Sequence, residues 1–196
     1  MPEDTQLSDS DGVFLVKTAR TAVTELLSNG KRIKLESESE KKFSFNAGVF
    51  VTLNNADGLR GCIGFPMPDK KLSHGIIDAA IAAATEDPRF SPVKINELNE
   101  IVFEITVLTP PVEITVTDPM EYLEKIKVGR DGLIIRNSFS SGLLLPQVPV
   151  EYDWNVEEFL QHTCEKAGLE KDTWKNEKVK IEKFEGIVYK ERANGS

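Results

Sequence analysis

The chain has 196 residues, 40% of them hydrophobic, and a formal net charge of −8 from 24 Lys and Arg against 32 Asp and Glu. That is enough apolar material for one buried core, alone or with a smaller lobe, so no covalent staple is required, and two cysteines are too few for a disulfide framework. The acidic balance argues against a nucleic-acid partner unless the cations cluster, and Lys and Arg are instead interleaved with Glu through residues 36–42 and 177–183. Met1-Pro2-Glu3-Asp4 leads into no basic and then apolar region, and no apolar run approaches bilayer length. A cytoplasmic location without membrane contact is expected.

Residues 1–12 read as a flexible N-terminus. Leu15, Ala19, Ala22, Val23, Leu26 and Leu27 then recur at helical spacing, with Ser10 or Asp11 as N-cap and Asn29-Gly30 as the stop. Phe43, Phe45, Ala47, Val49, Val51 and Leu53 alternate as a strand, residues 54–58 supply a turn, and Gly58-Leu59-Arg60-Gly61-Cys62-Ile63-Gly64 returns as the antiparallel partner. Residues 72–85 form an alanine-rich helix whose slim apolar face suits close packing on a sheet, and Asp87-Pro88 stops it. Ile101, Phe103, Ile105 and Val107 alternate as a further strand, with Glu104 and Thr106 on its other side.

Pro110-Pro111 breaks that strand, and residues 112–116 form a short one. Asp118-Pro119-Met120-Glu121 carries an N-cap, an N1 proline and a capping-box glutamate for a short helix ending near Gly129. Gly129-Arg130-Asp131-Gly132 reads as a plain hairpin turn into residues 133–136. Residues 143–150 contain Pro146 and Pro149 and should lie at a sheet edge or run irregularly. Val156, Phe159, Leu160, Thr163, Cys164 and Ala167 mark an amphipathic helix closed by Gly168, and residues 179–190 a last strand. Hairpins and helices interleave without strict βαβ alternation, so the class is α+β: a mainly antiparallel sheet packed with helices, in a single domain over residues 13–190, with residues 191–196 a flexible C-terminus.

The glycine-rich segment is the sharpest candidate site. Glycine inside a strand gives up packing, so repeated glycine argues for close approach of another group. In an extended chain Arg60, Cys62 and Gly64 share one face, which sets a thiol beside a fixed positive charge. A nucleophilic Cys62 needs a base, and His74 is nearer in the chain than His162. The alternative is that Cys62 is a small buried residue. Arg60 and Arg89 could converge on one carboxylate or phosphate, or each could pair with a local acid such as Glu86, Asp87 or Glu104. Gln147 could offer its amide to a ligand or tie down its own backbone. Cys164 lies on an apolar helical stripe and belongs to the core, and the Cys and His spacings make no zinc motif, so no metal or other cofactor is expected.

Leu59-Arg60-Gly61-Cys62-Ile63-Gly64, Glu86-Asp87-Pro88-Arg89-Phe90, Asp131-Gly132-Leu133-Ile134, Leu144-Leu145-Pro146-Gln147-Val148 and Phe159-Leu160-Gln161-His162-Thr163-Cys164 follow one another in an order that closely resembles the AMMECR family, over residues 14–189. One departure is Gly64-Phe65-Pro66-Met67, where many relatives place a threonine after the second glycine. The resemblance implies an intracellular α+β protein with a larger and a smaller lobe. It also implies association with a Memo-like protein and a radical S-adenosylmethionine protein. It makes Arg60, Gly61, Cys62 and Gly64 the positions where an active or binding site is suspected. The functional expectation is an enzyme or enzyme component that binds a small anionic ligand between the lobes. Cys62 and His74 would be its catalytic residues, and Arg60, Gly61, Gly64, Arg89, Glu104 and Gln147 its ligand contacts. The alternative is a non-catalytic module that docks onto the two partner proteins.

Overall fold

The structure, a computed structural model, describes residues 7–176 and 179–191. They fall into two compact units, one of residues 7–108 with 187–191 and the other of residues 109–186. In the first unit, helix α1 spans Asp9–Asn29. Its N-cap is Ser8 in place of Ser10 or Asp11: the Ser8 hydroxyl accepts from the Asp11 N–H at 3.3 Å, and the Asp11 carboxylate accepts from the Ser8 N–H at 3.1 Å. This reciprocal capping box pulls the helix start back into the stretch expected to be flexible. The residues 1–6 of that stretch, and 192–196 at the other end, lie outside the described residues. Gly30, at φ +65°, closes the helix in the left-handed conformation that glycine adopts without strain.

Helix α2, Ser37–Lys42, has acids in its first turn and lysines in its last, an arrangement that complements the helix dipole although none of its residues is buried. The expected strand from Phe43 therefore starts late. Phe43 turns into the core directly after α2, and strand β1 runs only over Val49–Asn55. It pairs antiparallel with β2, Gly58–Phe65, on one side and with β3, Val102–Leu108, on the other. Val49, Val51 and Leu53 of β1 and Phe103, Ile105 and Val107 of β3 turn to the face covered by α1 and by helix α3, Leu72–Thr85. Burying each such side chain contributes about 1.5–3 kcal/mol. Gly61 faces the same way, and a Cβ there would sit 2.2 Å from the Ala83 carbonyl oxygen. The strand reaches the C-terminal part of α3 only because that position has no side chain.

The second unit opens with β4, Val112–Glu113, followed by a 3-10 turn, Pro119–Glu121, and the four-residue helix α4, Tyr122–Lys125. The capping box of Asp118 and Glu121 forms as expected. Strand β5, Asp131–Arg136, lies between β6, Ser141–Leu144, and β7, Lys180–Lys190, whose residues 187–190 belong to the first unit. Asp131 is not a turn residue. It opens β5 fully buried, and the reversal occurs before it, with the Asp131 carboxylate accepting from the Lys127 N–H at 2.9 Å and from Arg130 at 2.7 Å twice.

The Pro146 and Pro149 segment is an end strand followed by a short helix, α5, Gln147–Glu151. Pro149 is its third residue, where an N–H has no intrahelical acceptor to lose. Helix α6, Val156–Lys166, buries Phe159, Leu160 and Cys164 with Leu133, Ile135, Trp174 and Ile181 in a core of its own, and Gly168 at φ +73° follows its end. The expected α+β class with an antiparallel sheet is what the chain adopts. Among the described residues no helix is long and apolar enough to cross a membrane.

Candidate functional site

Cys62 lies in the middle of β2, the first strand in the sheet order, opposite Thr52 of β1. The pair approaches closely, with Cys62 Sγ 3.3 Å from Thr52 Oγ1, as in a pair that exchanges no backbone hydrogen bonds. The backbone of Cys62 accordingly points out of the sheet edge, where an exposed N–H and C=O would invite another strand. Asp87 and Arg89 occupy that place. The Cys62 N–H donates to Asp87 Oδ2 at 2.8 Å, and Arg89 Nη2 donates to the Cys62 carbonyl at 3.3 Å.

The clamp is itself tightly bonded. Arg89 Nε and Nη2 donate to the Asp87 carboxylate at 3.0 and 2.7 Å, and the Arg89 N–H adds a bond of 3.1 Å. The Asp87 side chain is only 2% exposed. The Arg89 hydrogen bonds hold its carboxyl far below the usual carboxylate range, against the opposing effect of burial. Arg89 is raised in turn, chiefly by its hydrogen bonds to Asp87.

The expected convergence of Arg60 and Arg89 on a free anion is not what the sheet edge displays. Arg60 donates through Nε to Glu97 Oε2 at 2.9 Å and through Nη1 to the Ser91 carbonyl at 2.9 Å. Each guanidinium thus has its own carboxylate. Asp87 was among the acids that sequence suggests, whereas Glu97 was not, because its closeness to Arg60 arises from the path of residues 86–97 along β2.

His74 is parted from Cys62 altogether. Gly61 meets α3 at Ala83, nine residues after His74, which at 1.5 Å per residue is about 14 Å along the helix axis. His74 pairs instead with Glu40 at 3.4 Å and is no base for the thiol. Glu104 does come to the site: it faces Thr52 in register from β3, so Cys62, Thr52 and Glu104 form a row across three strands on the face turned away from α1 and α3. Lys190 Nζ lies 4.0 Å from Glu104. Thr52 escaped the sequence reading, although the hairpin turn at residues 55–58 sets it opposite Cys62.

Gly64 packs against Phe50, whose ring a Cβ would meet at 2.3 Å, so its role is steric. Gln147 opens α5 in the second unit and is exposed. Cys164 is fully buried, and desolvation pushes its thiol up to about 11. His162 stacks on Trp154 at 3.9 Å and contacts Glu165 at 2.7 Å. Among the described residues no group of three or more His, Cys, Asp or Glu could hold a metal ion.

An antiparallel α+β chain in two units, with a cysteine held on an edge strand by an Asp and Arg pair, is the class of protein these observations define. The chain belongs to the AMMECR1 family, whose model matches residues 16–189. It is 51% identical to protein MJ0810 of Methanocaldococcus jannaschii over 187 residues, covering 94% of this chain and 92% of that one. It is 48% identical to protein PYRAB00100 of Pyrococcus abyssi, covering 95% and 93%. The crystal structure of the uncharacterized protein PH0010 from Pyrococcus horikoshii superimposes with a TM-score of 0.77 at 48% identity, covering 95% of this chain and 94% of that one. The resemblance found in the motifs therefore holds at the level of family and fold.

Proposed function

We propose that the chain is a cytosolic enzyme or enzyme component whose reactive group is Cys62. Its ligand is a small anion received on the Cys62, Thr52 and Glu104 face. The observation that carries this reading is the clamp: both backbone groups of one half-buried cysteine are held by a buried carboxylate and an arginine, while its thiol lies beside a hydroxyl. Fixing one residue so completely fits a side chain that must be presented in one orientation. Arg89, with its side chain 55% exposed and Asp87 behind it, is the group that would meet an anion, whereas Arg60 is 13% exposed and serves to hold residues 91 and 97. Gly61 contributes by letting the strand approach α3.

The test compares two alkylating reagents, because the ratio of their rates cancels the fraction of thiol ionised. Cys62 should react with iodoacetate, relative to iodoacetamide, several-fold faster than free cysteine does, and Arg89→Met should bring the ratio down to that of free cysteine. Cys164, buried and with its thiol shifted upward, should stay unlabelled. A ratio at or below that of free cysteine in the unaltered protein removes the anion site.

A docking role has one observation of its own. Phe139 is 97% exposed at the tip of the β5–β6 hairpin, where Asn137 Oδ1 accepts from the Phe139 and Ser140 N–H groups at 2.8 Å each. A rigid tip that presents an aromatic ring fits an anchor for a partner protein, of which the family resemblance suggests the Memo-like and radical S-adenosylmethionine proteins. Phe139→Ser should abolish their capture, while Cys62→Ser should leave it intact. Capture by the Phe139→Ser variant at the unaltered level counts against docking through this tip.

A further inference from the structure

The first unit holds a cavity that the Cys62 face does not use. It has a volume of about 580 Å³ and is lined by Arg32, Ile33, Lys34, Leu35, Glu40, His74, Ile77 and Asp78, a size within the usual range for small-molecule sites. Its floor is apolar, from Ile77, 5% exposed, and from Ile33 and Leu35, which pack against the core of the unit. Its rim is charged. Residues 31–36, which connect α1 to α2 without regular structure, form a strap along one side. Ile33, Lys34 and Leu35 also line a second cavity of about 380 Å³ towards α1, so the strap has unfilled space on both flanks.

The rim charges are unequally committed. Asp78 is held by Arg32 and by Lys70, the latter at 3.1 Å, and Glu40 faces His74. Lys34, at the centre of the strap, makes no hydrogen bond or ion pair among the described residues, although it borders both cavities. Asp78 therefore has cationic partners, Glu40 faces only the imidazole, and Lys34 is the rim cation without a partner among the described residues. Arg32 is 57% exposed on its side chain, so its ion pair is of the kind that contributes little and exchanges readily.

We propose that this cavity binds a small molecule with an apolar body and a single carboxylate. The carboxylate is met by Lys34 and by Arg32, and the body lies on Ile33, Leu35 and Ile77. The site is separate from the thiol face, and His74, which lies far from Cys62, is part of its lining. Neither the ligand nor the site depends on the function proposed for Cys62.

The probe is octanoate, added to nitrogen-labelled full-length protein, with octanamide, octylamine and leucine as companions of altered charge. Octanoate is expected to shift the amide resonances of residues 31–36 and 72–78 in a saturable way. Octanamide and octylamine should bind at least about tenfold more weakly, for want of a charge that Lys34 can meet. Lys34→Glu, a change at an exposed position in a connecting segment, should lose octanoate binding by a similar factor while the rest of the spectrum is unchanged. Absence of saturable shifts in those residues overturns the proposal. So does equal binding of octanamide, stronger binding of octylamine or leucine, or unaltered binding by Lys34→Glu.

Discussion

Asp87 accepts four hydrogen bonds with its side chain 2% exposed, two of them from the Arg89 guanidinium and one each from the Cys62 and Arg89 backbone. A carboxylate in that position stabilises the fold only while it is ionised. Asp87→Asn keeps the shape but loses the charge-assisted bonds, and it should cost about 2 kcal/mol in urea denaturation, discounted for the exposure of Arg89. Because the folded pKa lies below the ordinary value of 3.8, the contribution is complete above that pH and is lost as pH falls below it. Asp131 shifts in the same direction: burial, its largest single influence, raises it, but the Arg130 and Lys127 hydrogen bonds together with the charges of Lys183 and Arg130 lower it by more. The protein should therefore lose stability steeply on acidification below about pH 4, and Asp87→Asn should flatten that loss. Equal acid sensitivity of the variant and the unaltered protein contradicts the role given to Asp87.

Arg20 ties together elements that are far apart in the chain. From α1 it donates to Glu191 at 2.5 and 2.6 Å, to the Leu98 carbonyl at 3.0 Å and to the Ile101 carbonyl at 2.5 Å, with its guanidinium 4.6 Å from the centre of the Phe103 ring. Glu191 also accepts from the Phe103 N–H at 3.1 Å, so the residue just after β7 is a latch and not part of a loose terminus. Glu191→Ala should cost about 2–3 kcal/mol and speed hydrogen exchange at the start of β3, as loss of one partner from a half-buried charged network does. The glycine against α3 is a second junction of elements. Gly61→Ala would drive a Cβ into the Ala83 carbonyl, a backbone atom that cannot swing aside, and a loss of about 1–3 kcal/mol is expected by thermal or chemical denaturation.

At the scale of the molecule, buried apolar side chains among the described residues gather in two clusters, one on the helix-covered face of β1 and β3 and the other around Phe159, Trp174 and Leu133. A cavity made in one cluster should be felt first within its own unit. Phe159→Ala is expected to cost about 3–5 kcal/mol. Its effect on hydrogen exchange should be larger in β5 and β6 than in β1 and β2. Uniform loss of protection across both units shows instead that they unfold as one. The net charge of −8 opposes attraction to a phosphate backbone, and retention on a duplex DNA column at physiological salt should be no greater than for a neutral control.

The sequence by itself determined the elements whose signal is local. Periodicity and the Asp87-Pro88 stop place α3 at Leu72–Thr85, and periodicity with Gly168 places the end of α6, because both signals lie within a few residues of those boundaries. Alternation placed Glu104 away from the core, and the ordered motifs carried the family. Where local signals compete, the reading failed: Phe43, Phe45 and Ala47 alternate like a strand, yet the charges of residues 37–42 wind a helical turn and Phe43 is drawn into the core. Only the tertiary structure decided the partners of the chemical groups. That Arg60 answers Glu97, that Asp87 and Arg89 seal the edge at Cys62, and that His74 stands nine residues back along α3 from the contact with β2 follow from how α3 and residues 86–97 lie against β2. Packing in three dimensions sets those distances, and separation along the chain carries no measure of them.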